Sequence, residues 1–340
     1  MVKVIISGAT GFVAQHIVSQ LLKSNYSVIG TVRSESKGQN LKSKFNNDNF
    51  QFEIVEDVEK AGAFDKTLQN HQDATVFLHT ASPFHFRATD IEKELLLPAI
   101  NGTKNALEAI TKYGENIKRV VITSSYAAIG TASIDADPKN TITEDDWNLV
   151  TWEEALSNPV TGYRGSKTFA EKAAWEFYKE NKPKWKLSTV NPSFIFGPQF
   201  NSDGVKATLN TSSEVINNIL KLGPDGQLPP FKGGWVDVRD VAKAHIVAFE
   251  KDSAIDQRLL LNQSRFATQS IIDIINENFE SLRGKIPKGD PGSDKKIIAT
   301  QLAKVDNSKT LKILGFELID LKTSVIDSVQ QIIDVRKGNL

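Results

Sequence analysis

The stretch VKVIISGATGFVA, Val2–Ala14, decides the fold. Val2–Ile6 is a short apolar run rich in β-branched residues, the composition of a strand buried on both faces of a parallel sheet. It breaks at Ser7-Gly8. From Phe12 apolar pairs recur every four residues (Val13/Ala14, Ile17/Val18, Leu21/Leu22), as in an amphipathic helix. Between strand and helix the small residues fall as Gly8-x-x-Gly11-x-x-Ala14. Gly8 permits the tight turn, Gly11 lets the backbone approach a phosphate, and Ala14 keeps the helix close to the strand. The helix N-terminus adds unpaired N–H groups and the positive end of its dipole. In a chain with 21 glycines such a spacing alone says little. At the first strand–helix junction it reads as the pyrophosphate site of a dinucleotide, lined by Gly8, Ala9, Thr10, Gly11, Phe12 and Val13.

Outward from this unit the pattern repeats. Strands are expected at Ser27–Val32, Phe50–Val55, Thr75–Thr80, Arg119–Thr123, Lys186–Val190 and Gln257–Asn262. Helices are expected within Ser34–Asn47, over Ile91–Tyr113 with bends at Pro98 and Gly102, over Tyr163–Asn181, and over Asp237–Lys251. This alternation predicts an α/β fold with a doubly wound parallel sheet. Asn191–Trp235 turns rich in Gly, Pro, Asn and Ser, with one helical piece near Glu214–Leu222. Leu282–Lys296 reads as a loop, and helices close the chain around Lys304–Leu314 and Leu321–Val335. Residues 1–190 and 235–262 are therefore expected to form the dinucleotide domain, with 191–234 and 263–340 forming a smaller substrate lobe.

Lys+Arg and Asp+Glu are 41 each, so no net field favours nucleic acid or an acidic membrane surface. No apolar run approaches a membrane span. The chain has no cysteine, which excludes disulfides, zinc–thiolate sites and a cysteine nucleophile. The N-terminus is already strand and carries no export signal, so a cytoplasmic protein is expected.

The residue ending the second strand chooses the dinucleotide, an acidic one favouring a ribose 2′-OH and an arginine a 2′-phosphate. Here Val32 is followed by Arg33-Ser34, with Lys37 a turn further on. The planar Arg33 fork suits a phosphate and Lys37 adds charge, which favours NADP; Glu35 competes for the ribose or caps the helix. Asp57 and Val58, ending the third strand, belong beside the adenine.

Tyr163-Arg164-Gly165-Ser166-Lys167 puts a tyrosine and a lysine on one helix face at i and i+4. Carbonyl reduction needs a proton donor at oxygen while hydride attacks carbon, and a nearby cation is expected to shift the phenol toward phenolate. Tyr178 and Lys182 repeat the spacing about 22 Å along the helix. Tyr163 stands at the helix start, whereas Tyr178 lies near its far end, beside Pro183. Ser125, just past the fifth strand, can share the carbonyl oxygen with Tyr163. No metal site is expected, because no helix pairs histidines at ligand spacing. Asp237-Val238-Arg239-Asp240 reads as a salt-bridged helix start. There is no G-x-S-x-G elbow and no Walker A motif.

GATGFVA, HTASP at His79–Pro83, TSSYAA at Thr123–Ala128, YxxxK at Tyr163 and NPSFIFGP at Asn191–Pro198 together resemble the extended short-chain dehydrogenase/reductases. The chain is most similar to their dihydroflavonol-reductase-like branch and its NADPH-dependent methylglyoxal (3-methylbutanal) reductase group. The resemblance runs on through NTSSE at Asn210–Glu214 and GGWVDVRDVAKAHIVAF at Gly233–Phe249. It implies an NADP-binding Rossmann fold and reduction of aldehydes and ketones to alcohols. Ser125, Tyr163 and Lys167 would be catalytic, with Lys167 also holding the nicotinamide ribose. Arg33 and Lys37 would meet the 2′-phosphate, and Thr80, Ala81, Pro192, Ile195 and Ser212 would lie near the cofactor. Phe84, Tyr126, Val160 and Phe194 would line a pocket without a cation, for a small carbonyl substrate. A monomer or homodimer is expected. A sugar-nucleotide epimerase or dehydratase shares the fold and the Ser/Tyr/Lys set, but Arg33 argues against it. A non-catalytic NADP-sensing regulator could dispense with the tyrosine that this chain retains.

Overall fold

A computed structural model of the chain describes residues 1–82 and 88–337. Seven strands form one parallel sheet: β1 (Lys3–Ser7), β2 (Ser27–Val32), β3 (Phe50–Ile54), β4 (Val76–His79), β5 (Arg119–Thr123), β7 (Lys186–Pro192) and β10 (Arg258–Leu261). Their spatial order is β10-β7-β5-β4-β1-β2-β3. The order turns round between β1 and β4, the point at which open α/β sheets bind ligands beyond their strand ends. The fold is the expected Rossmann-type α/β sheet, and each expected strand is found within two residues of its predicted ends.

The near-continuous apolar strands follow from burial on both faces. On β1, Val4 and Ile6 join the core beneath helices Phe12–Lys23 and Val238–Glu250, with Ile17, Leu21 and Val241. Ile5 between them joins the opposite core, with Phe77, Leu107, Ile110 and Leu187 beneath helix Leu97–Tyr113. Successive residues alternate faces and both faces are dry.

The other strands are β6 (Thr141–Thr143), β8 (Phe194–Phe196), β9 (Lys232–Asp237), β11 (Ser264–Ala267) and β12 (Lys304–Asp306). β11, β9 and β8 form a small sheet in that order, and β12 pairs with β6. Phe196, Trp235 and Phe266 from the small sheet pack with Ile216, Ile271, Ile275, Val325 and Val329 in a separate core.

Several expectations need correction. Asn191–Trp235 supplies β8 and part of β9, which are too short or too glycine-rich to show a period. The presumed loop Leu282–Lys296 turns helical at Asp294, and Lys304–Leu314 divides into β12 and helix Ser308–Leu314. Ile91–Tyr113 is a π-helical turn, Glu92–Leu96, running into helix Leu97–Tyr113. Pro98 sits in the first turn of that helix, directly after the π-helical turn, and Gly102 lies within its helical span. Helix Pro159–Asn181 starts four residues before Tyr163, because the Asn158 side chain caps it by accepting from the amides of Val160 and Thr161, both at 3.0 Å. Among the described residues no helix is long and apolar enough to cross a membrane.

Gly30 on β2 lies directly beneath the glycine turn: a Cβ there would stand 2.7 Å from the Ala9 Cβ and 3.0 Å from the Phe50 ring. Gly30→Val should therefore overpack the sheet and lower stability by about 1–3 kcal/mol. Urea unfolding would register this as a lower midpoint, and an unchanged midpoint would contradict the close packing.

Candidate active site

The carboxyl ends of β1, β2 and β4 shape the first part of the site. Gly8 has φ +68°, and a Cβ there would lie 3.1 Å from the Ala81 backbone. The turn is tied to β2, since the Gly8 amide donates to Thr31 Oγ1 at 3.2 Å and the Ala9 amide to the Thr31 carbonyl at 2.9 Å. Gly11 occupies the N-cap in extended conformation and no side chain caps the first turn. The amides around Thr10, Phe12 and Val13 thus face a cradle suited to an anion. Thr80 and Ala81 both donate backbone N–H bonds to Ser7 Oγ, each at 3.0 Å, which fixes that loop beside Gly8.

At the end of β2, Arg33 and Lys37 are both exposed. Glu35 lies in the first helical turn and accepts from Gln39 at 2.8 Å, so the helix engages the carboxylate. Burial and the charge of Asp57 raise the Glu59 carboxyl, and the charge of Arg33 opposes this. Val58 is half-buried against helix Leu97–Tyr113, whose Asn105 amide holds the Val58 carbonyl at 3.1 Å. A pyrophosphate with a 2′-phosphate-bearing ribose fits these donors by charge and by the glycine cradle.

β5, β7 and helix Pro159–Asn181 shape the second part. Ser125 caps the short turn Tyr126–Ala128, its Oγ accepting from the Ala127 amide at 3.1 Å. The Tyr163 hydroxyl donates to the same Oγ at 3.3 Å. Ser125 thereby accepts twice and keeps its own proton to donate. Lys167 follows one turn after Tyr163; burial lowers it to about 8, with Glu171 opposing. Burial raises Tyr163 despite its bond to Ser125 and the charge of Arg164. Burial thus acts against the expected drift toward phenolate, with Ser125 and Arg164 opposing it. The residue is a phenol at neutral pH, the form that can give a proton.

Tyr178 has a different setting. It stacks on Trp185 and is pushed up to about 12 by burial and a bond to Asp256, while Lys182 caps the helix C-terminus and is exposed. That pair packs the helix end.

A cavity of about 220 Å³ opens beside Ser125 and Tyr163, lined also by Tyr126, Val160, Phe194 and Ser212. Pro192 is at its wall, and the Ser212 hydroxyl accepts from the Ile195 amide at 3.4 Å. Phe84 lies outside the described residues. Val160 is 58% exposed at the helix start, whereas Tyr126 is buried and donates its hydroxyl to Asp135 at 2.7 Å. The expectation of a pocket without a cation fails, because Arg164 and Lys232 both line it, as does Asp135. Arg164 donates to the Gly130 carbonyl at 2.7 Å, and Lys232 to Gln301. Arg164 stands beside Tyr163 in the sequence and could have been read from it. Lys232 and Asp135 lie in segments without any motif.

Among the described residues no cluster of His, Asp or Glu could hold a metal. His16, His79 and His245 are buried and lowered to about 4 by burial, and His71 faces Glu53 at 3.0 Å. Asp237 caps its helix and pairs with Arg239 at 2.8 Å, and Arg239 also reaches Asp327 at 2.6 Å, the salt-bridged helix start that was expected.

With this geometry in hand, the chain can be set beside known proteins. The model of the NAD dependent epimerase/dehydratase family matches residues 4–262. The chain is 54% identical to the putative NADPH-dependent methylglyoxal reductase GRP2 of Candida albicans, covering 97% of this chain and 98% of that one. It is 49% identical to the NADPH-dependent methylglyoxal reductase GRE2 of Saccharomyces cerevisiae, with the same coverage. The crystal structure of Candida albicans Gre2 in complex with NADPH superposes with a TM-score of 0.97 at 61% identity, over 98% of this chain and 99% of that one. The match of fold, sequence and length shows that the chain belongs to the NAD dependent epimerase/dehydratase family, the extended short-chain dehydrogenase/reductases.

Proposed function

We propose that this protein is an NADPH-dependent carbonyl reductase, an oxidoreductase that converts aldehydes and ketones to alcohols, with methylglyoxal and 3-methylbutanal as representative substrates. The carrying observation is the Tyr163 hydroxyl bonded to Ser125 Oγ, one helical turn from Lys167, at a cavity that both residues line. The activities in the names of the Candida and Saccharomyces relatives support it. Residues 1–190 and 235–262 would carry the cofactor, and 191–234 with 263–340 the substrate. Gly8, Ala9, Thr10, Gly11, Phe12 and Val13 would hold the pyrophosphate and Arg33 with Lys37 the 2′-phosphate. Asp57 and Val58 would flank the adenine, Lys167 would bond the nicotinamide ribose, and Thr80, Ala81, Pro192, Ile195 and Ser212 would complete the contacts.

The bound cofactor supplies the hydride that forms the new C–H bond. Ser125 and Tyr163 donate to the carbonyl oxygen, and as the C=O π bond breaks, the Tyr163 proton passes to that oxygen. The Lys167 ammonium stabilises the charge left on the phenol oxygen. A pocket of this size suits small carbonyl compounds. Its two cations remove the bar on carboxylates that an apolar pocket would impose. A cytoplasmic monomer or homodimer, where NADPH is kept reduced, suits the activity.

If Arg33 makes a charge-assisted bond worth about 1.5–3 kcal/mol, Arg33→Ala should weaken NADPH binding roughly ten- to hundredfold in a fluorescence titration. NADH binding should hardly move; an equal loss for both would remove Arg33 from the 2′-phosphate.

Tyr163→Phe should abolish turnover while NADPH still binds, whereas Tyr178→Phe should retain nearly full kcat. Steady-state rates for both variants decide the matter, and a fully active Tyr163→Phe would eliminate the proton donor.

In a panel read by NADPH consumption, 3-methylbutanal and methylglyoxal should far exceed a sugar nucleotide in kcat/KM. Methylglyoxal should show the higher KM, because it removes less apolar area from water. Turnover should fall as pH rises through about 8, where Lys167 loses its proton. Preference for the sugar nucleotide would sink the assignment.

A further inference from the structure

Glu171 is fully buried on helix Pro159–Asn181, one turn beyond Lys167 and two beyond Tyr163, so the three share a face. Its two oxygens accept hydrogen bonds from five residues. Ser124 Oγ at 2.5 Å and Asn191 Nδ2 at 2.7 Å reach Oε2. Thr189 Oγ1 at 3.1 Å, Trp175 Nε1 at 3.2 Å and Arg258 Nε at 2.6 Å reach Oε1. Two of these donors bear directly on the site. Ser124 immediately precedes Ser125, and Asn191 also donates to the Ser125 carbonyl at 3.3 Å. Lys167, Glu171, His79 and Ser124 together line an internal cavity of about 20 Å³.

A core ion pair would need only Arg258, which is itself held by the carbonyls of Glu144 at 2.9 Å, Asp146 at 2.5 Å and Ala128 at 3.2 Å. The extra bonds run to the ends of β5 and β7, where the substrate oxygen would be received. We propose that Glu171 is a positioning residue for the reductase set: it ties the segment carrying Ser125 to the helix carrying Tyr163 and Lys167, and sets a negative charge one turn behind the Lys167 ammonium. The inference rests on the reductase reading above.

The charges around this group are few. His79 faces Lys167 from β4 and is neutral at pH 7, lowered to about 4 by burial and by Lys167 itself. Tyr163 and Glu171 lie on the same helix as Lys167, and Arg258 reaches Glu171 from β10. Glu171 is the carboxylate that raises Lys167 against the effect of its burial.

The test is Glu171→Gln, assayed with NADPH and 3-methylbutanal across pH beside the wild type. The kcat should fall about tenfold or more while KM for NADPH stays within about threefold. The alkaline fall-off of kcat should also move about one pH unit lower, since Lys167 loses its counter-charge. Ser124→Ala, which breaks one tie and keeps the charge, should lower kcat with the fall-off unmoved. If Glu171→Gln does not fold, Glu171→Asp decides, because a carboxylate withdrawn by one methylene cannot keep all of these bonds and should also lose kcat. A folded Glu171→Gln with wild-type kcat and pH profile, or a fully active Glu171→Asp, overturns the proposal. A wild type without NADPH-dependent reduction overturns the reductase reading instead, and this proposal with it.

Discussion

All seven strands of the main sheet run parallel, so every one delivers its carboxyl end to the same edge. That constraint brings together residues far apart in the chain. The glycine turn after β1, Arg33 after β2, Asp57 after β3, Thr80 after β4, Ser125 after β5 and Pro192 ending β7 all arrive at one rim. Helix Pro159–Asn181 then needs only to lie against the β5–β7 side for Tyr163 to reach Ser125. Parallel pairing demands crossover helices and buries both faces, so chemistry is confined to the strand ends.

Burial governs the chemistry of the rim as strongly as charge does. Tyr163 and Lys167 are both displaced by desolvation in the direction of their neutral forms, and in each case a specific neighbour works against it. The outcome suits reduction, because a phenol that keeps its proton until the carbonyl accepts hydride is a donor without further adjustment. The same reasoning separates Tyr163 from Tyr178: both are raised, but Tyr178 is tied to Asp256 and stacked on Trp185, which immediately precedes β7, so it sits at the amino ends of the strands, opposite the rim.

The main sheet was legible because its signals are local. Val2–Ile6 with Gly8 and Gly11 declares a strand, a turn and a helix within about two dozen residues, and the later strands repeat that rhythm. Ser125, Tyr163 and Arg33 were legible for a related reason, since each stands at a strand end or on a helix that the period marks. Three-residue strands such as Phe194–Phe196 and Lys304–Asp306 have no period, and what makes them strands is a partner remote in sequence. Asp135, Lys232 and Glu171 were not legible for the same reason. Each gains its role from residues on other elements, and an acidic or basic side chain in the sequence does not say what will surround it. Arg164 shows the limit differently, visible beside Tyr163 but read only for its neighbours.

Burial on both faces has a further consequence for how the strands find their alignment. In a sheet with one wet face, sliding a strand by one residue would drive apolar side chains into water and so be rejected. Here such a slip exchanges Val4 and Ile6 for Ile5, one set of branched aliphatics for another, and solvent offers little objection. Discrimination must come from the polar strand ends: Ser7 bonded by the amides of Thr80 and Ala81, and Thr31 bonded by those of Gly8 and Ala9. The contacts that shape the nucleotide rim are thus also the gauge by which β1, β2 and β4 are aligned, and a chain that misaligned them would lose its rim in the same event.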